Sequence, residues 1–241
     1  MLNKVSGMVN AFQIHVLHGF LGLPGDWGFL EKDGNFIDLF NSRPINGLWS
    51  WAKTFNRSVK EANRKKVLVG YSLGGRLALH ALLDRPKLWD GAVIVSANPG
   101  LQDLKEKQKR LANDLQWSQR FLSEPWEKLM EDWNAQPVFS GDDCKLVRQE
   151  KNYSRSTLAN VLDVWSLGRQ EDLRQSIQNL SIPILWIAGE RDQKFTSIAR
   201  SLQFSHPQSK VWIAAEAGHS VPWQLEDSFK QELDTFLEEI S

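Results

Sequence analysis

The chain contains the stretch Lys66-Val67-Leu68-Val69-Gly70-Tyr71-Ser72-Leu73-Gly74-Gly75-Arg76, in which a short apolar run leads into a Gly-x-Ser-x-Gly pattern. The run at residues 67–70 predicts a buried strand, and the apolar residues at 77–83 predict a helix after the serine. A strand, a tight turn and a helix in this order hold a serine hydroxyl out at the carboxyl end of a sheet. The glycines two positions before and after the serine leave room for that turn. We therefore interpret Ser72 as the reactive residue.

Five further apolar runs predict strands on either side of this stretch. They lie at residues 12–17, 35–40, 91–97, 183–188 and 211–215, and helical periodicity occurs at 45–63 and 225–237. Strands that alternate with helices form a mostly parallel sheet with helices on both faces. The sequence therefore predicts an α/β protein with about six main strands.

The segment at residues 100–179 differs in character from the rest of the chain. It is charged, it has helical spacing, it contains no convincing strand, and Pro125 and Pro137 divide it into short helices. A long insertion between strands of a parallel sheet is typical of a lid over an active site. We predict a core formed by residues 1–99 and 180–241, with a helical lid at 100–179.

Charge and cysteine content indicate which partners and which cellular compartment to expect. The 241 residues include 29 basic and 29 acidic side chains, so the formal net charge is zero and we expect neither nucleic acid nor a membrane as a partner. The single cysteine, Cys144, cannot form an internal disulfide and has no partners for a metal cluster, which favours a reducing compartment. The sequence has no apolar run of about 18 residues and no signal-peptide pattern. We therefore predict a cytoplasmic protein.

Two polar side chains follow predicted strands in the same way as Ser72. Asp192 comes after the strand at 183–188, and His219 comes after the strand at 211–215. A serine hydroxyl needs an imidazole to take its proton, and the imidazole needs a carboxylate that fixes its tautomer. The chain order Ser, Asp, His is the order of the α/β-hydrolase fold. We therefore predict a catalytic triad of these three residues.

Other residues are weaker candidates for the same roles. Glu190 lies two residues nearer to the strand than Asp192, but the motif favours the aspartate. His206 precedes a proline in a connecting turn, and His80 lies on the helix after the serine, where a structural role is expected. Gly218 directly before His219 suggests a tight turn at the end of the strand.

Two backbone amides and one arginine complete the predicted site. The amide of Leu73 and that of Phe20, in a glycine-containing loop after the first strand, would form an oxyanion hole, although the loop could also be an ordinary turn. Arg76 stands one helical turn after Ser72 on the same side. A guanidinium there can bind a carboxylate with two hydrogen bonds, which predicts an anionic substrate; the alternative is a side chain that reaches solvent.

Several motifs from His18 onward form one pattern. They are Gly70-Tyr71-Ser72-Leu73-Gly74-Gly75-Arg76, Pro99-Gly100-Leu101, Gln116-Trp117-Ser118-Gln119-Arg120-Phe121-Leu122, Glu124-Pro125, Asp132-Trp133, Gln136-Pro137-Val138-Phe139, Gly189-Glu190-Arg191-Asp192 with Lys194-Phe195, and Ala217-Gly218-His219. Together they resemble the 2-succinyl-6-hydroxy-2,4-cyclohexadiene-1-carboxylate (SHCHC) synthases of menaquinone biosynthesis, which are lyases on the α/β-hydrolase fold. The motifs of the insertion are the specific part, because plain esterases share only the serine turn.

The resemblance implies elimination of pyruvate from 2-succinyl-5-enolpyruvyl-6-hydroxy-3-cyclohexene-1-carboxylate. The triad would act as a proton-abstracting unit without an acyl-enzyme, and the oxyanion donors would stabilise charge on the succinyl ketone. Tyr71, Arg76, Arg110 and Trp133 fall at substrate-binding positions of the family. The implied partner is a small anionic cyclohexene carboxylate, and no metal or organic cofactor is implied.

The chain departs from the family pattern at several points. Glu150 stands where the family has a further lid arginine, and Arg148, Lys151 or Arg155 could replace that arginine. The usual Pro-Gly-His-Gly turn is replaced by residues 41–44, and the chain before residue 12 is too short for the customary first hairpin. Two other functions stay open: a carboxylesterase-type serine hydrolase with an anionic substrate, and a catalytically silent binding protein on this fold.

Overall fold

A computed structural model describes residues 11–30, 34–41, 47–60, 63–143 and 146–241. Within these ranges six strands form one sheet in which every neighbouring pair is parallel. The strands are β1 (Phe12–Leu17), β2 (Asn35–Ile37), β3 (Lys65–Tyr71), β4 (Gly91–Val95), β5 (Ile184–Gly189) and β6 (Lys210–Ala214), in the spatial order β2-β1-β3-β4-β5-β6. The sheet confirms the predicted α/β class and the number of main strands.

The described ranges also contain nine α-helices. They are α1 (Leu48–Ser58), α2 (Leu73–Asp84), α3 (Leu104–Ser123), α4 (Trp126–Asn134), α5 (Arg155–Val164), α6 (Arg174–Gln178), α7 (Gln193–Ser201), α8 (Val221–Gln224) and α9 (Glu226–Glu239). None of these helices combines the length and the apolar character that are needed to cross a membrane. Of the predicted features, Cys144, residues 42–46, and residues 61 and 62 lie outside the described residues.

Two strands are shorter than the apolar runs predicted. The run at 35–40 forms a strand only to Ile37, because the Asp38 carboxylate accepts hydrogen bonds from the amides of Phe40 and Asn41 (2.9 and 3.1 Å) and turns the chain. The run at 91–97 ends as a strand at Val95, because Ser96 takes the left-handed backbone conformation (φ 47°). The first strand is therefore ended by a side-chain hydrogen bond and the second by a positive φ angle, although the apolar sequence continues past both points.

The side chains of β3 are buried on both faces of the sheet. Leu68 points into an apolar cluster with α1 and α2, whereas Val67 and Val69 point into a second cluster with α9. All three side chains are fully buried, which explains why the strand reads as a continuous apolar run. These two layers hold the carboxyl ends of β3, β5 and β6 along one edge of the sheet.

The chain between β4 and β5 forms α3 to α6, which we call the helical insertion. Its helices enclose an apolar cluster of their own, with Phe121, Leu129 and Leu158 fully buried. Leu21, in the loop after β1, belongs to the same cluster. The insertion therefore packs against the loop at the carboxyl end of β1, beside Ser72.

His15 is a buried histidine on β1. Its ring packs edge-on against Trp89 and Phe55, and neither ring nitrogen has a hydrogen-bond partner among the described residues. Burial, aided by the charge of Lys66, lowers the pKa of His15 from 6.5 to about 4. Near pH 5 the unfolded chain therefore binds a proton that the folded chain does not, and the free energy of unfolding falls as the pH drops from about 6.5 to about 4.

Replacement of His15 by phenylalanine is expected to remove this acid sensitivity. Between pH 7 and pH 5 the wild type should lose about 2 kcal/mol more unfolding free energy than the variant. Urea unfolding at the two pH values measures the difference, and His206→Gln, at a half-buried histidine in a connecting turn, is the control. Parallel losses in the wild type and in His15→Phe would contradict the assignment.

Candidate active site

Ser72 lies between the end of β3 and the start of α2. Its backbone has φ 52° and ψ −111°, a conformation that non-glycine residues seldom adopt, and its amide donates a hydrogen bond to the Val95 carbonyl (2.8 Å). A Cβ atom at Gly70 would lie 2.6 Å from the Gly74 carbonyl oxygen, and one at Gly74 would overlap the carbonyl of Leu17. The two glycines are therefore required by close backbone approach, as the sequence pattern predicts.

The side chains of Ser72, His219 and Asp192 form one hydrogen-bonded chain. His219 Nε2 lies 3.1 Å from Ser72 Oγ, and His219 Nδ1 lies 2.7 Å from Asp192 Oδ2. The histidine and aspartate side chains are almost fully buried. A proton on Nδ1 that is donated to the carboxylate leaves the Nε2 lone pair free to accept the serine proton. The arrangement can therefore act as a base toward a proton above Ser72.

The competing residues lie away from this chain of hydrogen bonds. Glu190 is exposed and accepts from the amide of Glu216, and His206 is half-buried in the turn before β6. His80 is fully buried on α2, where its Nδ1 contacts the Arg76 carbonyl (2.7 Å). Burial lowers the pKa of His80 to about 4, so its ring is neutral at physiological pH.

Gly218 serves a different purpose from the predicted tight turn. The residue with a positive φ at the end of β6 is Glu216 (φ 60°), and Gly218 is not among the positive-φ glycines of the described residues. A Cβ atom at Gly218 would instead lie 2.5 Å from the backbone of Gly141, in the helical insertion. Gly218 is therefore needed because two backbones meet there.

The two predicted oxyanion donors lie next to Ser72. Leu73 is the first residue of α2, and Phe20 follows Gly19, at which a Cβ atom would lie 3.5 Å from that of Ser72. In the described part of the chain, neither the Leu73 amide nor the Phe20 amide donates to another protein group. Both amides are therefore available to an oxygen atom of a bound molecule.

A cavity of about 260 Å³ opens above Ser72 and His219. The aromatic side chains of Phe20, Trp133 and Phe139 form part of its wall, and Arg76, Arg110 and Lys194 contribute cationic groups. Residues of the helical insertion and of the core line it together. The cavity therefore combines apolar walls with positive charge close to the reactive serine.

Arg76 points into this cavity and does not reach solvent. Its side chain is buried; Nε donates to Gln170 Oε1 (2.7 Å), and Nη2 donates to the Trp165 carbonyl (2.8 Å). No carboxylate of the described residues forms an ion pair with it. Burial and the nearby Arg110 guanidinium lower the pKa of Arg76, although an arginine remains charged at neutral pH. The Asp114 carboxylate also acts on Arg76 but is itself paired with Arg110. A buried cation without an ion-pair partner of its own favours an anionic ligand.

Arg110 and Lys194 add two further cations. Arg110 Nε lies 2.8 and 2.9 Å from the two carboxylate oxygens of Asp114, and one of these oxygens also accepts from Ser166 Oγ (2.7 Å). Lys194 forms no ion pair among the described side chains, and burial lowers its pKa. Lys194 is not among the site residues predicted from the sequence. Its position two residues after Asp192, at the start of α7, is the signal that could have identified it.

Comparison with known proteins places this site in a family. A family model described as alpha/beta hydrolase fold matches residues 40–224. A 2-succinyl-6-hydroxy-2,4-cyclohexadiene-1-carboxylate synthase of Yersinia pseudotuberculosis is 31% identical over 242 residues, which cover 93% of this chain and 87% of the relative. The synthase of Serratia proteamaculans is 34% identical over 175 residues, which cover 70% of this chain and 67% of the relative. The chain belongs to the SHCHC synthase family.

Solved structures add information on the fold of this SHCHC synthase family member. The structure of MenH from S. aureus matches with a TM-score of 0.85 at 23% identity, over 95% of this chain and 94% of that chain. A thermophilic esterase matches with a TM-score of 0.61 at 20% identity, over 95% and 90% of the two chains. Both likenesses place the chain on the α/β-hydrolase fold.

Trp133 and Tyr71, which the family resemblance implies as substrate-binding residues, line different cavities. Trp133 lines the cavity above Ser72, 4.9 Å from Phe20 between ring centroids. Tyr71 instead lines a second, smaller cavity of about 80 Å³, which shares Phe20, Trp133 and Phe139 with the first. Its hydroxyl lies 3.2 Å from Ser220 Oγ, and burial raises its pKa. The role of Tyr71 in substrate binding stays a prediction.

The SHCHC synthase family has a lid arginine at the position of Glu150. In this chain the two nearby arginines, Arg148 and Arg155, both form ion pairs. Glu150 pairs with Arg155 (2.6 Å), whose Nη1 also contacts the carbonyls of Phe121 and Glu124. Arg148 lines the smaller cavity and pairs with Asp26 (2.8 Å). Both arginines are therefore already paired within the protein, and neither lines the cavity above Ser72.

Proposed function

We propose that this chain catalyses the reaction named by its relatives, the formation of SHCHC by elimination of pyruvate from 2-succinyl-5-enolpyruvyl-6-hydroxy-3-cyclohexene-1-carboxylate. The observation that carries the proposal is the buried, unpaired guanidinium of Arg76 above a serine–histidine–aspartate chain, in a member of this family. The substrate carries three carboxylates, on the ring, the succinyl chain and the enolpyruvyl group. A cavity with apolar walls and cationic groups suits such a molecule.

The reaction is an elimination that needs a base. The succinyl ketone acidifies the proton at ring carbon 2, and removal of that proton leaves an electron pair that forms the bond between carbons 2 and 3. The ring double bond moves to carbons 4 and 5, and the enolpyruvyl oxygen leaves carbon 5. The leaving group gains a proton and becomes pyruvate, so atoms and electrons balance without an oxidant.

The residues around the cavity fit the parts of this reaction. His219, held by Asp192, accepts the proton directly or through the Ser72 hydroxyl, and no acyl-enzyme forms. The amides of Leu73 and Phe20 stabilise the negative charge that develops on the succinyl ketone oxygen. Arg76, Arg110 and Lys194 bind the carboxylates, and Trp133 packs against the apolar part of the substrate.

The helical insertion has the position of a lid in this proposal. It supplies Arg110, Trp133 and Phe139 to the cavity, whereas the core supplies Ser72 and His219. A substrate in the cavity would contact both parts, and its bound charges would be shielded from water.

The cytoplasmic location stays a prediction from the cysteine content and from the lack of a signal-peptide pattern.

A pyruvate-release assay tests the proposal. The purified chain is supplied with the cyclohexene substrate, and pyruvate is measured through NADH oxidation by lactate dehydrogenase. We expect stoichiometric pyruvate, and no burst of alcohol release from an activated ester such as p-nitrophenyl acetate. A burst with covalent labelling of Ser72 and no pyruvate would support the carboxylesterase alternative instead.

A further inference from the structure

A short turn of the helical insertion contacts the loop that carries His219. Asp142 Oδ1 accepts a hydrogen bond from the Ser220 amide (3.0 Å), and Asp142 Oδ2 accepts from the Ser220 hydroxyl (2.6 Å). The preceding residue, Gly141, accepts from Gln224 Nε2 through its carbonyl (3.2 Å). Gln224 Oε1 in turn accepts from the amide of Gly218 (2.8 Å). Ser220 is therefore hydrogen-bonded directly to Asp142, and Gly218 is linked to Gly141 through the Gln224 side chain.

The contact leaves little freedom for the histidine loop. The backbones of Gly141 and Gly218 touch, because a Cβ atom on Gly218 would lie 2.5 Å from the backbone of Gly141, and one on Gly141 would lie 3.4 Å from the Gly218 Cα. From the core side, Ser96 Oγ donates to the His219 carbonyl (2.8 Å). His219 is thus held between a core serine and a turn that belongs to the insertion.

The same aspartate sets the direction of a hydrogen-bond chain to Tyr71. Because the Ser220 hydroxyl donates to Asp142, its oxygen is left as the acceptor for the Tyr71 hydroxyl (3.2 Å). The Tyr71 ring lies 5.5 Å from the His219 ring between centroids, and it lines the smaller cavity and not the cavity above Ser72. The hydrogen bonds from Asp142 through Ser220 to Tyr71 therefore hold a ring that packs beside the His219 imidazole.

We infer that Asp142 is a positioning residue, which holds the His219 imidazole in line with Ser72 only while the insertion is docked on the core. The inference rests on the proposed function of the same site. A displacement of about 1 Å in a catalytic group costs on the order of 100-fold in rate. Asp142 lines the smaller cavity together with Tyr71 but does not line the cavity above Ser72, so its loss is expected to affect the chemical step and to leave binding at Arg76 and Trp133 in place.

The test compares Asp142→Ala with Asp143→Ala. Asp143 is the adjacent, exposed aspartate, whose ion-pair partner among the described residues is Arg191 at the surface (2.8 Å). For Asp142→Ala we expect a 10- to 100-fold lower kcat for pyruvate release, with KM within about threefold of the wild type. Asp143→Ala should match the wild type. Asp142→Asn keeps an oxygen acceptor for the Ser220 amide and should recover most of the kcat.

A spectroscopic measurement does not depend on the reaction. The proton between His219 Nδ1 and Asp192 should give a far-downfield proton NMR signal in the wild type and in Asp143→Ala, and a weakened or shifted signal in Asp142→Ala. If Asp142→Ala does not fold, Gln224→Leu removes the other link and should give the same kinetic and spectroscopic pattern.

Three results would overturn the inference. They are equal kcat values for Asp142→Ala and Asp143→Ala, a rise in KM alone, and a loss of kcat with an unchanged histidine signal. Absence of pyruvate release by the wild type would refute the proposed function, and the histidine signal of the variants would still decide the role of Asp142.

Discussion

Replacement of Ser72 by alanine is expected to reduce kcat for pyruvate release by about 10²- to 10⁴-fold, the usual contribution of a positioned proton-transfer group. The Ser72 hydroxyl lies within hydrogen-bond distance of His219 Nε2, and the free amides of Leu73 and Phe20 are next to it. A proton at ring carbon 2, held near those amides, would be close to the serine oxygen. KM should change little, because the charged groups that bind the carboxylates remain.

The comparison of Ser72→Ala with His219→Ala identifies the proton acceptor. If the serine oxygen takes the proton, both variants lose a similar factor, because the oxygen and the imidazole act as a unit. If instead the imidazole takes it directly, Ser72→Ala loses less than about tenfold, contrary to the loss expected above, and His219→Ala loses the full factor. Ser123→Ala, at an exposed serine near the end of α3, is the control and should match the wild type. Full activity in both Ser72→Ala and His219→Ala would refute the proposed mechanism.

The central part of the fold and the candidate triad could be predicted because their signals are local. The strand, the glycines and the helix around Ser72 all lie within one short stretch, and each predicts the same turn. Asp192 and His219 follow strands that are apolar or β-prone over several residues. In a parallel sheet the carboxyl ends of strands share one edge, so the proximity of these residues follows from topology.

The parts that could not be predicted depend on contacts between distant residues. Asp142 and Ser220 are 78 residues apart, and nothing in the sequence near either residue indicates that they meet. The reason for Gly218 is similar, because the close approach of Gly141 requires it and the local turn does not. Arg76 is intermediate. Its side of the helix could be predicted from its spacing to Ser72, but the contacts with Gln170 and Trp165 required the insertion to be in place.

Replacement of Arg76 by methionine is expected to reduce kcat/KM for pyruvate release roughly 30- to several thousand-fold. This factor corresponds to a loss of about 2–5 kcal/mol of transition-state stabilisation. The guanidinium is buried and forms no ion pair with a carboxylate of the described residues. It donates to Gln170 and Trp165, and the Asp114 carboxylate that acts on it is paired with Arg110. Its remaining N–H groups are available to a substrate carboxylate. Methionine fills a similar volume without the charge, so the loss reports the missing interaction with the anion.

The size of this loss depends on whether charge or geometry is required, and a comparison of Arg76→Lys with Arg76→Met separates these contributions. Arg76→Lys keeps a cation but cannot bind a carboxylate with two parallel hydrogen bonds, so it should recover only part of kcat/KM. Arg169→Ala removes an arginine of the insertion that pairs with Asp163 at the exposed surface and does not line the cavity, and it should stay within about twofold of the wild type. Steady-state pyruvate release measures all three variants. Unchanged kcat/KM in Arg76→Met would mean that the substrate anion is bound elsewhere, because a buried cation that touched it could not be removed without loss.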